Sequence, residues 1–365
     1  MPAANYSILA INPGSTSTKF GLYEGTELTH SWTLNHSDAE LAPFVGKPVT
    51  EQEDFRYSVL MEELAARGVD LKRLSAVVGR GGLIRPMVSG TYEVNDVMLD
   101  ELRHRPRVQH ASNLGAVLAS RIANMIGVPA YIVDPVSVNE RSAIARLSGS
   151  PLFESGRFTH ALNSKAVAKR FAREQGKDYS KLRLVTAHLG GGICIAAHAG
   201  GLMIDATDAS DQSPYSPERA GGLPTLQLVE YCFSGKASEK DVKAMVSGKG
   251  GLYAYLGTKD LREVIERIED GDAMAKLAFD GMAYQIGKSI SGMAAALEGK
   301  LDTIILTGGM AYSDRLVSEV SKYVDWIAHV TVYPGEEELT ALSEGVVRVL
   351  SGEEKARLLE AENLP

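Results

Sequence analysis

Only two cysteines, Cys194 and Cys232, occur in 365 residues. Two thiols cannot build a disulfide framework or a zinc site, and such scarcity fits a reducing compartment, so a cytoplasmic location is expected. Long apolar runs are missing too: no stretch approaches the roughly 18 residues that a membrane span needs. The opening Met1 to Ser7 holds no basic residue, and the apolar run after it, Ile8 to Ile11, is too short for a secretory h-region. The expectation is a chain neither inserted in a membrane nor exported. Positive charge is in deficit, with 38 Lys and Arg against 46 Asp and Glu and a net charge of −8. A surface of that sign attracts neither a nucleic-acid backbone nor an anionic bilayer, so neither is expected as a partner, and an anionic ligand must be drawn in locally. What remains, 44% apolar and 23% charged residues with 36 Gly and 14 Pro, is the composition of a globular α/β protein, long enough for two domains.

Two stretches share one design. Ser7 to Ile11 reads as a strand, Asn12-Pro13-Gly14-Ser15-Thr16-Ser17-Thr18-Lys19 as a turn, and Phe20 to Tyr23 as a second strand. Leu184 to Ala187, His188-Leu189-Gly190-Gly191-Gly192 and Ile193 to Ala197 repeat it about half a chain later. That separation points to an internal duplication, two similar α/β domains, rather than to a short-period solenoid. Helical periodicity runs over 57–67, 97–103, 112–126, 163–175, 226–233, 261–268 and a long Ala- and Gly-rich stretch, 272–297. Strands are expected at 76–78, 130–133 and 303–306. Residues 35–56, polar with Pro43 and Pro48, read as a surface connection, and 339–359 as a charged helical tail.

The first turn concentrates chemistry. Four hydroxyl residues beside Gly14, followed by Lys19, would make a nest of donors for phosphate. It is not a P-loop, because a second Gly followed by Lys and Ser/Thr is absent and the turn leads into a strand. The same residue types also suit a plain hairpin. The second turn has three consecutive glycines, which implies close approach of a ligand to backbone or positive φ. Together with Thr307-Gly308-Gly309 at the end of another strand, the two turns suggest a nucleotide held across a cleft between two domains.

In their order and spacing these segments resemble the acetate and butyrate kinase family of the actin, sugar kinase and Hsp70 superfamily. Further matches are Gly79-Arg80-Gly81-Gly82, His110-Ala111-Ser112-Asn113, Asp134-Pro135-Val136, Phe158-Thr159-His160, Ser216-Pro217-Glu218-Arg219 and Tyr333-Pro334-Gly335-Glu336. The Asn-Pro-Gly-Ser-Thr-Ser-Thr-Lys opening is closer to the butyrate branch than to the Asn-Ala-Gly-Ser-Ser-Ser of acetate kinases. The resemblance implies two ribonuclease H-like domains facing across a nucleotide cleft: residues 1–160, completed by a C-terminal helix over 340–365, for the first phosphate loop and the acyl substrate, and 161–339 for the second loop and the adenosine. It implies a homodimer or a larger homo-oligomer, ATP/ADP with Mg²⁺, and reversible phosphorylation of butyrate to butanoyl phosphate by direct in-line transfer. Propionate, acetate or branched-chain acids are alternative substrates, and a nucleotide-switched binding ATPase is an alternative of another class.

Such a reaction needs no general base, since the acceptor is already ionised near neutral pH; it needs charge neutralised between two anions. The resemblance places Arg80 and Arg219 at the carboxylate and the transferred phosphoryl group, with Arg85 as the alternative to Arg80. His160 and His188, and less directly His110, match family histidines near the phosphoryl group. Asp134 stands near magnesium and the acceptor, and Asn12 near the metal or phosphates. In Glu336-Glu337-Glu338 the metal-proximal carboxylate is expected at Glu337, with Glu338 next. Gly14, Ser15, Thr16, Ser17 and Lys19, then Gly190, Gly191 and Gly192, would hold phosphates; Asp260, Arg262, Gly308 and Gly309 would flank the nucleoside. Small Gly79 and Gly81 around Arg80 are expected to widen the acyl pocket.

Overall fold

The computed structural model describes residues 6–156, 158–210 and 212–361. The expected domain limits at residues 1 and 365 therefore lie outside them. The chain divides into two compact units, Met1–Val138 with Glu337–Pro365, and Asn139–Glu336.

The first unit is built on a six-stranded sheet, ordered β3-β2-β1-β4-β6-β5. Its strands are β1 (Ser7–Pro13), β2 (Ser17–Glu24), β3 (Glu27–Asn35), β4 (Ala76–Arg80), β5 (Thr91–Glu93) and β6 (Ala130–Val133). β1, β2 and β3 are antiparallel neighbours, whereas β1, β4 and β6 run parallel. Parallel strands are covered on both faces, which is why Ile8 to Ile11 and Ala76 to Val78 are apolar without alternation and fully buried. Helix Asn113–Ile126 supplies Leu114, Leu118 and Ile122 to this core and ends at Gly127, whose φ of +77° satisfies the left-handed cap.

The second unit repeats the order in a five-stranded sheet, β11-β10-β7-β8-β9. Here β7 is Leu184–Leu189, β8 Ile193–Ala199, β9 Leu202–Ala206, β10 Thr303–Gly308 and β11 Val330–Pro334. Again three consecutive strands are antiparallel, β10 joins the first of them in parallel, and β11 lies parallel beside β10. The expected duplication is thus a duplication of sheet topology. Helix Ala273–Ala296, started by Asp272 accepting from the Met274 and Ala275 amides, lays Phe279, Met282, Ile286 and Ile290 into the core.

Several boundaries differ from the expectation. Segment 139–160 packs with the second unit: the Ser142 amide donates to Ile204, and Glu140 forms a buried 2.7 Å ion pair with Lys165. The unit therefore begins near residue 139 rather than 161. Residues 35–56 are not a plain connection, because Ser37 and Glu40 form a reciprocal capping box that starts a helical turn, and a helix begins at Glu53. The final helix, Glu338–Leu350, stops at Ser351-Gly352, where Gly352 has φ of +79°. Arg357 then exchanges backbone hydrogen bonds with β5, donating to Thr91 and accepting from Glu93. Among the described residues no helix is long and apolar enough to cross a membrane.

Candidate active site

In the first unit the candidate groups gather where the parallel strands end, the edge at which open α/β sheets present their ligand groups. Asn12 is near the end of β1, Arg80 ends β4, and Asp134 follows β6 directly after Val133, the register partner of Arg80. Glu338, in the first turn of the final helix, reaches back to this edge. One of its carboxylate oxygens accepts from Asn12 Nδ2 at 2.5 Å and the other forms an ion pair with Arg80 Nη1. Asp134 has φ of +39°, a strained backbone for a residue with a Cβ. Its Oδ1 holds it there, accepting from the Ser89 hydroxyl at 2.5 Å and from the Gly90 amide at 2.8 Å.

Two expectations change at this point. Of the three glutamates it is Glu338, not Glu337, that joins Asn12 and Arg80; Glu337 precedes the first helical turn. The helix fixes that register, since Leu342 and Val346 must face the core. Arg85 is not an equivalent of Arg80: its Nε lies 3.0 Å from Glu101 and its Nη2 donates to the Glu360 carbonyl. The glycines also have another purpose than the one expected. A Cβ on Gly79 would lie 2.0 Å from the Gly115 carbonyl oxygen, and one on Gly81 would lie 2.3 Å from Pro135 Cβ. They allow helix 113–126 and the Pro135 turn to touch the strand end, and do not open an acyl pocket. His110 sits in the turn before that helix, with Nδ1 2.9 Å from the Ser112 hydroxyl.

The Gly14 to Lys19 turn is organised by a residue outside the sequence motifs. Arg56, in helix Glu53–Ala66, is 1% exposed, and its guanidinium donates to the carbonyls of Gly14 (2.8 Å), Ser15 (2.9 Å) and Ser17 (3.0 Å) and to Thr18 Oγ1 (3.1 Å). Thr18 also meets His36 Nε2 at 2.9 Å. Ser15, Thr16 and Lys19 remain exposed around this support. Lys19 lies across from Asn12 in the β1–β2 register.

In the second unit, the corresponding sheet edge carries His188 near the end of β7, Gly308 at the end of β10 and Glu336 just after β11. The His188 ring is buried; its Nδ1 donates to Asn163 Oδ1 at 2.8 Å, and its Nε2 faces Glu336 Oε1 at 3.2 Å. His160 stacks on it with ring centroids 4.0 Å apart and planes 13° from parallel. Arg219 Nη1 donates to the Ala209 carbonyl at 2.7 Å, while its buried Nε has no acceptor among the described residues. Burial holds its pKa below the ordinary arginine value. A Cβ on Gly192 would lie 2.3 Å from Arg219 Nη1, so the glycine loop is open there for the guanidinium. Gly308, at φ of +90°, lies so close to Leu189 that a Cβ would meet its carbonyl oxygen at 2.3 Å.

Beside this edge is a cavity of about 920 Å³. Gly190, Gly191, Gly309, Asp260, Arg262 and, from the Ser216 to Arg219 motif, Glu218 line it, joined by Lys259, Ile265 and Tyr312, which the sequence motifs did not single out. Asp260 caps helix Leu261–Glu269 through the Arg262 amide and pairs with the Arg262 guanidinium; that side-chain bond is the main force lowering its pKa, to about 2. Helix capping and cavity lining therefore coincide. Among the described residues no three His, Cys, Asp or Glu side chains are grouped closely enough to hold a metal by themselves.

The Acetokinase family profile matches residues 157–345. Proteins named "Probable butyrate kinase" from Listeria monocytogenes serotype 4a (strain HCC23) and Clostridium botulinum (strain Alaska E43 / Type E3) are each 46% identical to this chain. The alignments cover 97% of it and 99% of each relative. The chain belongs to the acetokinase family. Among solved structures, acetate kinases from Entamoeba histolytica and Porphyromonas gingivalis superpose with TM-scores of 0.74 and 0.71 at 16% and 18% identity, over 93% of this chain and 98% and 99% of theirs. A propionate kinase from Francisella tularensis subsp. tularensis SCHU S4 gives 0.70 at 20%, over 93% and 98%. At that identity the likeness establishes the fold, which is the actin, sugar kinase and Hsp70 type expected from the motifs.

Proposed function

We propose that this acetokinase-family chain is a butyrate kinase, transferring the γ-phosphoryl group of ATP to butyrate and releasing ADP and butanoyl phosphate. The observation that carries the reading is 46% identity, over 97% of the chain, to relatives named for that activity. In the forward direction a carboxylate oxygen attacks the γ-phosphorus as the bond to the β-phosphate oxygen breaks, and ADP takes the departing electron pair. No proton need move, so the protein supplies position and charge.

The second unit takes the nucleotide, its adenosine between Gly309 and the Asp260–Arg262 segment and its phosphates over Gly190 to Gly192. Arg219 donates to the transferred group, and the stacked His160 and His188 rings line the same site, where a buried guanidinium acts in low dielectric. The first unit takes the acceptor: Arg80, held by Glu338, binds the carboxylate, Asp134 and Asn12 line the same edge, and the Gly14 to Lys19 loop contacts phosphate. His110 supports the helix start behind them. The Glu338 carboxylate, with Asn12 donating to it through Nδ2, is a hard oxygen donor that would suit Mg²⁺, an ion that keeps several waters and takes one or two protein ligands beside substrate phosphates. When bound, Mg²⁺ neutralises phosphate charge. A cytoplasmic homodimer or larger assembly goes with this reading. Helix Thr225–Phe233 supports the assembly, since no residue in it is buried and Leu226 and Phe233 are 80% and 87% exposed.

The test is initial-rate acyl phosphate formation, trapped as the hydroxamate, with MgATP and acids from formate to hexanoate, including isobutyrate and isovalerate. A maximum at four straight carbons is expected. A maximum at acetate, propionate or a branched acid would keep the mechanism and change the substrate. ATP hydrolysis independent of any acid would overturn the transferase reading. One methylene is worth only about 1–3 kcal/mol in an apolar pocket, so neighbours in the series should be turned over more slowly rather than excluded.

A further inference from the structure

Arg56 has no part in the family motifs and, among the described residues, no acidic partner. Its Nε donates to Gln52 Oε1 at 2.9 Å, and every other acceptor it has is a backbone carbonyl or the Thr18 hydroxyl of the first phosphate loop. Among the described residues no carboxylate lies within ion-pairing distance of it. The nearby acids are committed elsewhere: Glu53 to Arg103 and Arg121, Glu51 to Lys47, and Glu40 to the Ser37 cap. His36, which shares Thr18, has its pKa lowered by its own burial and then by the Arg56 charge, and an imidazole supplies no negative charge in either form. Burial brings the guanidinium down to about 10, which leaves it charged at neutral pH.

A buried cation held only by neutral dipoles is costly, and a protein that needed merely to tie down a hairpin would pair it with an acid or use a neutral side chain. The carbonyls that receive its donors belong to the turn in which the Gly14 amide donates to the Ser17 carbonyl at 2.7 Å and Ser15 and Thr16 are exposed. We propose that Arg56 is the positioning and charge-supplying residue of this loop, its missing counter-ion being the phosphate chain of the nucleotide. The guanidinium gathers the carbonyls of Gly14, Ser15 and Ser17 on one side, which directs loop donors to the other. Its charge acts across one layer of backbone on an anion bound there. This rests on the nucleotide-dependent activity proposed above and adds a residue and a cause to the phosphate affinity of the loop.

The decisive variant is Gln52→Glu, which provides Arg56 with an internal carboxylate at the same 2.9 Å contact without emptying the site. If Arg56 only braces the hairpin, the new ion pair leaves nucleotide affinity unchanged. If its uncompensated charge serves the anion, the variant melts at or above the wild-type temperature yet has a KM for MgATP raised about fivefold or more, with the butyrate KM within twofold. Arg56→Lys, which keeps charge and loses the fork, should recover more of the MgATP affinity than Arg56→Met. Thermal protection of the full-length protein by MgADP, measured without any acid, gives the same comparison independently of turnover. Equal protection of wild type and Gln52→Glu would overturn the inference whatever the substrate proves to be; protection that differs in a protein inactive on every acid would leave it standing and defeat the butyrate kinase reading.

Discussion

His188 shows how one neutral side chain can set the chemistry of another. An amide oxygen can only accept, so the contact with Asn163 Oδ1 places a proton on His188 Nδ1 and turns Nε2 toward the sheet edge, where Glu336 Oε1 lies 3.2 Å away. A net hydrogen bond of about 1–1.5 kcal/mol predicts that Asn163→Ala lowers kcat about tenfold with little change in the butyrate KM. Asn163→Gln should restore less than half of that loss, because its oxygen is displaced by a methylene. Arg80→Ala removes a charge-assisted donor rather than an orienting contact, and a loss of about 10²-fold or more in kcat/KM is expected, read in the hydroxamate assay. A different histidine governs stability. His198 is fully buried between Tyr179 and Thr186, and burial, then the Lys165 charge, lowers its pKa to about 3. Between the ordinary histidine pKa near 6.5 and about 3 the unfolded chain takes up a proton that the folded chain refuses. Its contribution to stability is thus intact above pH 6.5 and declines as the pH falls through that window, by up to about 1.4 kcal/mol per unit. Denaturant midpoints at pH 7 and pH 5 should differ more for wild type than for His198→Gln; equal differences would remove His198 as the source.

Among the elements, glycines at two strand ends make opposite predictions. At Gly79 an added Cβ meets the Gly115 backbone at 2.0 Å, which cannot move without displacing a helix. Gly79→Ala should cost about 1–3 kcal/mol, a fall of roughly 3–10 °C in Tm, without altering chain-length preference. At Gly192 the obstacle is the end of the Arg219 side chain, 2.3 Å away, which can swing aside. Gly192→Ala should keep Tm within about 2 °C and lose at least tenfold in kcat. Had Gly79 shaped the acyl pocket, its variant would shift selectivity toward acetate instead, and the same substrate panel decides it. These glycines also mark the limit of reading from sequence. Three in a row announced close approach, but only coordinates distinguish a strand end open to a ligand from one filled by a helix. The parallel strands β1, β4, β6, β7 and β10 were legible because burial on both faces makes them continuously apolar. β3, a mostly exposed edge with His30 and Ser31 before Trp32, and three-residue β5 carry no such signal. In the site, Asn12, Arg80 and Asp134 of the motifs lie at strand ends of the first sheet and His188 and Gly308 at those of the second, whereas Asp260 and Arg262 start a helix. Arg56, Asn163 and Lys259 were invisible, since each acts through a partner distant in sequence and belongs to no local pattern.

For the molecule as a whole, the order of the chain and the order of the units differ. The second unit is continuous from Asn139 to Glu336, whereas the first is complete only when Glu337–Pro365 joins residues up to Val138. The late segment is integral to the first unit. Leu342 and Val346 are 0% exposed, the Ser343 hydroxyl donates to the Gly25 carbonyl, Tyr6 donates to Leu350, and Arg357 extends β5. Burying two such side chains contributes about 3–6 kcal/mol, comparable with the whole stability of a small domain. A chain ending at Glu336 should therefore keep the second unit folded, with its own core and its 920 Å³ cavity, and lose the first. The expected record is a cooperative melt that MgADP still raises, together with rapid proteolysis confined to residues before 139. Adding a peptide of residues 337–361 should slow that proteolysis. If the truncated chain instead resists protease throughout, the first unit folds without its last helix, and Glu338 would be a site residue delivered to a finished sheet rather than part of what completes it.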